Sequence, residues 1–330
     1  DERRVLDIIR EDCVELKEKY ATKRLTGFVE SEDDDFDFGN LVPEHDVCVT
    51  ISHHGYVKRL PTDTFREQGR GGRGIKGGET KDGDFIEHIF VASTHDDLLC
   101  FTDSGRVFRL KVYQIPEATR TSRGRAIVNL LNLKNGENIV AFRNIKEFDS
   151  CQDNLVFATS MGRIKRTAVA EYRNVNSGGI HAIRLNEGDS LVGVIKTDGK
   201  CHVLMGTVQG MSIRFDENDA RLMGRTAAGV KGINLAEGDL VVGAVLAEDD
   251  ADLMTMTENG FGKRTPMLDY LVRSEDGSTR AQSRGGKGRR DIKTGGRNGL
   301  VADIRSVRDN DSLMFITANG MLVRIPASDI

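Results

Sequence analysis

This sequence predicts an all-β fold of six propeller-like units preceded by one short helix. A recurring glycine, the arginine that follows it and the apolar run before it carry the prediction. The glycines are Gly55, Gly105, Gly162, Gly210, Gly260 and Gly320, and four residues beyond each stand Arg59, Arg109, Arg166, Arg214, Arg264 and Arg324. Successive glycines are 50, 57, 48, 50 and 60 residues apart, the range in which one supersecondary unit repeats around a propeller. An identical cation in every unit of a ring makes a belt of positive charge, which suits a polyanion better than a small substrate.

The helix comes first. Val5, Leu6, Ile8, Ile9, Cys13, Leu16 and Tyr20 recur at helical spacing between charged residues, so residues 1–26 read as a helical segment with a stripe to bury. Residues 27–40 include the run Glu30-Ser31-Glu32-Asp33-Asp34-Asp35-Phe36-Asp37, too charged to pack, and read as an acidic linker. The acidic triplet has no further ligand types beside it, so it is assigned to the linker and not to magnesium.

Residues 41–330 hold the repeat. The runs Val47–Ile51, Leu98–Phe101, Leu155–Thr159, Val203–Met205, Leu253–Met256 and Leu313–Ile316 are short, apolar and bounded by turns such as His54-Gly55 and Asn259-Gly260. They read as the inner strands of hairpins. Gly83-Asp84, Gly136-Glu137, Gly188-Asp189 and Gly238-Asp239 precede further apolar stretches, giving each unit another strand and blades of about four. The sixth unit reaches Ile330 ten residues after its glycine, so its blade is expected to be truncated in a chain that reads as a piece of a longer protein.

Composition narrows the function. Of 330 residues 36 are glycine, none is tryptophan, and 30 % are charged; no apolar run approaches the ~20 residues of a membrane span. The five cysteines lie far apart with no Cys-x-x-Cys pair, so reduced thiols and no zinc site are expected. No catalytic triad, Walker loop or dinucleotide fingerprint is present, and neither metal nor cofactor is assigned to this chain. His53-His54 reads as turn decoration.

Net charge is −4 but unevenly placed. Residues 1–46 hold 15 acidic and 7 basic side chains, leaving 36 acidic and 40 basic in the repeat region. The glycine-rich loops sharpen this. Gln68-Gly69-Arg70-Gly71-Gly72-Arg73-Gly74 is followed by Ile75-Lys76, and Gln282-Ser283-Arg284-Gly285-Gly286-Lys287-Gly288 by Arg289-Arg290; both read Gln-x-Arg-Gly-Gly-[Lys/Arg]-Gly. Arg70, Arg120 and Arg225 all fall 15 residues after their hairpin glycine, and Gly74, Gly124 and Gly229 fall 19 after it, so the first copy is an enriched version of a loop common to the units. Dense glycine admits phosphate oxygens to backbone N–H groups, and Arg and Lys add charge-assisted bonds. Packing between blades is the alternative use of these loops, and of the hairpin arginines.

The paired loops resemble the signature box of the gyrase A family of DNA topoisomerases, and Asp46–Pro61 and Val112–Arg120 resemble the first two blades of its C-terminal domain. The resemblance covers essentially the whole chain. It implies a six-bladed β-pinwheel that binds and wraps duplex DNA with little sequence preference, with Asp1–Lys23 the end of a preceding breakage-reunion domain. The catalytic tyrosine of that earlier domain has no match here, so the chain is expected to be non-catalytic. It implies an ATP-dependent topoisomerase assembled with gyrase B in an A2B2 heterotetramer, ATP and Mg acting elsewhere, in a bacterial or organellar cytoplasm on the chromosome and not in a membrane. The first box has Gly69 and Arg73 where the usual pattern has Arg and Lys, and the second has Ser283, so either copy could support wrapping. The related C-terminal domain of topoisomerase IV, which generally has fewer blades and a degraded box, and a propeller that binds proteins are the alternatives. Expected DNA contacts are the six hairpin arginines with Arg70, Arg73, Lys76, Arg120, Arg225, Arg284 and Lys287.

Overall fold

The computed structural model describes residues 2–22, 41–62, 84, 86–119, 121–148, 151–273, 277–316 and 322–330. The chain divides into two compact units, Asp1–Leu41 and Val42–Ile330. In the first, α1 spans Glu2–Tyr20, with Lys17 and Lys19 in the last turn, where the helix dipole favours cations. Its apolar stripe is uncovered: Val5, Leu6, Ile8, Ile9, Leu16 and Tyr20 are each more than half exposed. No described helix is long and apolar enough to cross a membrane.

The second unit is all-β, a propeller-like ring of five blades followed by one further hairpin. Its strands are β1 (Asp46–Ser52), β2 (Tyr56–Pro61), β3 (Ile86–Ser93), β4 (Asp97–Thr102), β5 (Arg106–Lys111), β6 (Arg125–Ala126), β7 (Ile139–Ile145), β8 (Asn154–Thr159), β9 (Arg163–Ala168), β10 (Ile180–His181), β11 (Leu191–Thr197) and β12 (His202–Thr207). There follow β13 (Met211–Asp216), β14 (Val230–Lys231), β15 (Val241–Leu246), β16 (Asp252–Thr257), β17 (Gly262–Pro266), β18 (Val272–Arg273), β19 (Thr279–Arg280), β20 (Arg289–Arg290), β21 (Val301–Val307), β22 (Ser312–Ile316) and β23 (Leu322–Pro326).

The sheet orders are β3-β1-β2-β6, β10-β5-β4-β7, β11-β8-β9-β14 and β15-β12-β13-β20, then β17-β16-β21, with the small pair β18-β19 and the last hairpin β22-β23. In each four-stranded blade three strands are local, and the fourth, two residues long, comes from the connector after the next unit's hairpin. Successive blades are therefore interlocked by exchanged strands, not merely stacked.

The apolar runs before the hairpin glycines are not the innermost strands, as the sequence had suggested. They are the second strand of each sheet, hydrogen-bonded on both edges, which is why β4 and β8 are buried along their whole length. The strands after the glycine-acid landmark lie nearest the axis, where β7 meets β11, β11 meets β15 and β15 meets β21. Apolar clusters fill each joint: Val49, Cys100 and Phe108 between the first two blades, and Phe101, Phe157 and Tyr172 at the next, with Phe101 and Phe157 edge to face at 5.5 Å.

The landmark acids secure the turns. Asp84 accepts the His54 N–H at 3.0 Å, Asp189 the Met161 N–H at 2.9 Å and Asp239 the Gln209 N–H at 2.9 Å. Glu137 accepts Thr102 Oγ1 at 2.7 Å and Arg106 Nη1 at 2.8 Å. Burial works against its carboxylate, but the bonds from Lys134, Ser104, Thr102 and Arg106 hold its pKa below the usual range. The hairpin glycines take φ of 75° to 79° at Gly55, Gly105, Gly162, Gly210 and Gly260. At Gly210 a Cβ would fall on the Ile292 carbonyl of the following unit's connector, so the position needs glycine twice over.

Candidate nucleic-acid interface

The hairpin arginines lie at the joints between blades. From β2, Arg59 Nε donates to the Ile115 carbonyl at 2.8 Å; from β5, Arg109 Nη1 donates to the Arg173 carbonyl at 2.5 Å. Arg166 Nη1 donates to Asn218 Oδ1 at 2.7 Å, Arg214 Nη1 to the Met267 carbonyl at 2.7 Å, and Arg264 Nη1 to the Ala327 carbonyl at 2.6 Å. Every one of these acceptors lies in or beside the short 3-10 turn that follows the next unit's hairpin. The repeat thus places a guanidinium latch at each joint.

A partner often comes from the neighbouring strand, 12 residues earlier. Asp97 holds Arg109 at 2.6 Å and Asp252 holds Arg264 at 2.6 Å. His202 Nδ1 accepts Arg214 Nε at 3.2 Å, and Ser312 Oγ accepts Arg324 Nη2 at 3.1 Å. Arg214 is fully buried, whereas Arg324, in the last hairpin, is exposed. Five of the six guanidiniums are thus committed to protein acceptors in the next unit.

The second glycine-rich loop is likewise built into a joint. Arg284 donates from Nε to the Asp219 carbonyl at 2.7 Å and from Nη1 to the Lys231 carbonyl at 3.0 Å. The Gly285 N–H bonds the Gly232 carbonyl at 2.6 Å, and the Gly286 carbonyl accepts the Asn234 N–H at 2.8 Å. Gly288 has φ 72°, and a Cβ there would strike the Ser212 carbonyl. Backbone passing backbone thus requires glycine at 288, while Gly285 is favoured by its φ of 79°. Lys287 points out and is exposed. Gln282 is half-buried and its N–H bonds the Arg214 carbonyl at 2.9 Å, while Ser283 is exposed. Gln68 to Gly74, Lys76 and Arg120 lie outside the described residues. Arg225 is half-buried, its carbonyl accepting the Lys165 ammonium.

What sequence reading missed is the charge on the exchanged strands and their approaches. Arg123, Arg125, Arg221, Lys231, Arg289 and Arg290 join the expected Lys287; all seven are exposed and none forms an ion pair among the described residues, although Arg289 donates to the Asp269 and Leu271 carbonyls and Lys231 to Asn234 Oδ1. Arg123 stacks on the Tyr56 ring at 3.9 Å, a cation–π contact that holds it outward. Arg125, Lys231 and Arg290 sit on the exchanged strands of three blades, with exposed His181 on a fourth. They lie 20, 21 and 30 residues past their hairpin glycines, at no single offset, so the counting that found the first arginine does not find them. Cations without an ion-pair partner among the described residues thus recur at intervals on and beside the outermost strands, the charge distribution that suits a polyanion.

Among other chemistry-bearing groups, Asp198, Cys201 and Glu217 lie within 4.8 Å of one another. Glu217 is already engaged, accepting Thr197 Oγ1 at 2.5 Å and the Cys201 N–H at 2.8 Å. Burial and the Asp198 carboxylate push the Cys201 thiol up to about 11. His54 and His53 face Asp84 and Glu87 at 3.0 and 3.3 Å. All five cysteines are unbridged; Cys48 and Cys100 are buried, while Cys13 is exposed.

A family described as DNA gyrase C-terminal domain, beta-propeller, matches residues 46–93, 96–146, 153–198, 202–248, 251–274, 280–308 and 311–330. The DNA gyrase A protein of Staphylococcus epidermidis is 40% identical over 332 residues, covering 100% of this chain and 36% of that protein. The chain thus spans a little over a third of such relatives. The crystal structure of the C-terminal domain of DNA topoisomerase IV superposes with TM-score 0.74 at 26% identity, covering 88% of this chain and 86% of that one. The structure of the DNA gyrase A C-terminal domain superposes with TM-score 0.65 at 25% identity, covering 87% and 91%.

Proposed function

The chain belongs to the DNA gyrase C-terminal domain family, and on that premise we propose that it binds duplex DNA along the exchanged strands and bends it around the ring. The observation that carries this reading is the set of exposed, unpaired cations on those strands. Smooth bending of 20–30 base pairs costs of order 1–6 kcal/mol, which many spaced phosphate contacts offset without reading bases. DNA charge is met by the outer cations, while the five engaged hairpin arginines keep the blades in the register that spaces them; Arg324, exposed beside Ser312, adds a further phosphate contact. The hairpin β22-β23 begins a sixth blade of a pinwheel.

In the full-length protein the wrapped segment is delivered to a gate elsewhere, so that ATP hydrolysis on the gyrase B component of an A2B2 assembly drives negative supercoiling in the cytoplasm, on the chromosome. This chain is a non-catalytic part of that machine. Sequence relatedness to gyrase A proteins across the whole chain favours this reading over a topoisomerase IV domain. The test is duplex binding against salt together with a topological wrapping assay. If each of the seven exposed cations neutralises one phosphate, log K falls against log salt with slope of about −6. A slope near zero, or strong preference among unrelated duplexes, refutes wrapping and favours a protein-binding scaffold.

A further inference from the structure

Two buried lysines, on the strands that follow the hairpin glycine in the first and third blades, grip the corresponding loop of the unit that follows. Lys58 precedes Arg59 in β2, and its Nζ donates to the Ser122 carbonyl at 2.7 Å and the Thr119 carbonyl at 3.4 Å. Lys165 precedes Arg166 in β9, and its Nζ donates to the Ala182 carbonyl at 2.6 Å and to the Arg225 carbonyl. Thr119, Ser122 and Arg225 lie 14, 17 and 15 residues past their hairpin glycines, in the approach to the exchanged strand. The same loops close on the lysines from the other side. A Cβ at Gly124 would stand 2.5 Å from the Val57 carbonyl and 3.0 Å from Lys58 Cβ, and one at Gly229 2.5 Å from the Ile164 carbonyl and 3.0 Å from Lys165 Cβ.

Each loop is thereby held by one ammonium in addition to its other bonds, which are the ladder of the exchanged strand in both cases and, in the second, the Met223 N–H to the Arg166 carbonyl at 2.8 Å and Arg163 to the Ala228 and Gly229 carbonyls at 2.9 and 2.6 Å. The loops carry Arg123 and Arg125 in the first case, and Arg221, Arg225 and Lys231 in the second. Lys165 is 0% exposed, and among the described residues it hydrogen-bonds carbonyls and faces the Phe157 ring at 5.3 Å, with no carboxylate partner. A buried lysine without a counter-charge is costly. Resting on the wrapping reading above, we infer that Lys58 and Lys165 are positioning residues for DNA binding, holding the loops so that the cations of the exchanged strands stand in register with the phosphate backbone.

The charge of Lys165 supplies a signature. Burial, and after it the nearby Arg225, lowers its pKa to about 7, with Glu171 acting the opposite way. Tyr172, whose hydroxyl donates to the same Ala182 carbonyl at 3.0 Å, is pushed up by burial and stays neutral. His181 and Arg184 flank Ala182 and are exposed. Between pH ~7 and ~10.5 the native state binds fewer protons at Lys165 than the unfolded chain, so stability rises with pH there. A neutral amine donates more weakly and brings no charge. DNA affinity therefore falls over the pH range in which stability rises, whereas a merely structural lysine would move both together.

The test measures affinity of the unmodified chain for a labelled duplex of arbitrary sequence from pH 6.0 to 8.5 at constant ionic strength, with urea unfolding at each pH. Affinity is expected to fall severalfold while the urea midpoint rises. Lys165→Met should weaken binding about fivefold at pH 6.0 and flatten the profile, and Lys58→Met should weaken binding similarly. A DNA-binding chain whose profile matches that of Lys165→Met overturns the inference and leaves wrapping intact. If Lys165→Met does not fold, opposite pH trends of affinity and stability in the unmodified chain support the inference, and parallel trends refute it. No DNA binding at all overturns wrapping and this inference with it.

Discussion

Replacing Arg214 by alanine tests whether the hairpin arginines hold the blades together. Arg214 is 2% exposed, and its guanidinium reaches the Met267 carbonyl at 2.7 Å, His202 Nδ1 at 3.1 and 3.2 Å, and Asp249. Loss of the donor leaves the Met267 carbonyl inside the joint without a partner, at a cost of about 1–3 kcal/mol. Removing the buried stem opens a cavity worth about another 1–2 kcal/mol. The Asp249 side chain is 67% exposed and rehydrates, so that pair adds little. The expected loss is about 2–5 kcal/mol, a large share of the ~5–15 kcal/mol by which a domain is stable. Arg324→Ala, removing an exposed arginine that among the described residues bonds Ser312 Oγ, should cost under about 0.5 kcal/mol. Urea unfolding of both variants and the parent provides the comparison. A loss below about 1 kcal/mol for Arg214→Ala, or equal losses for the two, would refute the latch.

Two further outcomes follow from the same geometry, and two from the charge pattern of the sequence. Lys287→Ala and Arg290→Ala should leave the urea midpoint nearly unchanged while reducing the salt slope by about 0.9 per phosphate lost; Arg284→Ala and Arg289→Ala should each lower the midpoint, because each of those side chains is bound to two carbonyls. Gly288→Ala forces a Cβ onto the Ser212 carbonyl at φ 72° and should destabilise by about 2 kcal/mol or more, visible as a lowered midpoint. Changing Asp33, Asp34 and Asp35 to asparagine should tighten DNA binding at low salt if the acidic segment competes with phosphate, and in a full-length protein Arg70→Ala with Arg73→Ala should abolish supercoiling yet spare relaxation. Unchanged affinity in the first case, or the same phenotype from Arg284→Ala with Lys287→Ala in the second, would count against these readings.

By itself, the sequence determined the repeat, the hairpins and the composition class. A β-hairpin is a local object: an apolar run, a glycine able to take positive φ and the strand after it lie within a dozen residues, and the pattern recurs at Gly55, Gly105, Gly162, Gly210 and Gly260. The glycine-acid landmark was legible as a strand boundary, but not that Asp84, Asp189 and Asp239 secure turns about 30 residues away. Only the tertiary structure decided what the arginines do. A repeated arginine looks the same in a sequence whether it faces solvent or the next blade; its acceptor, such as the Met267 carbonyl 53 residues from Arg214, exists only once the blades are packed. The exchange of Arg125, Lys231 and Arg290 into preceding sheets was hidden for the same reason. A two-residue strand has too few positions to show a period, and its place is set by the edge it pairs with, not by its own side chains.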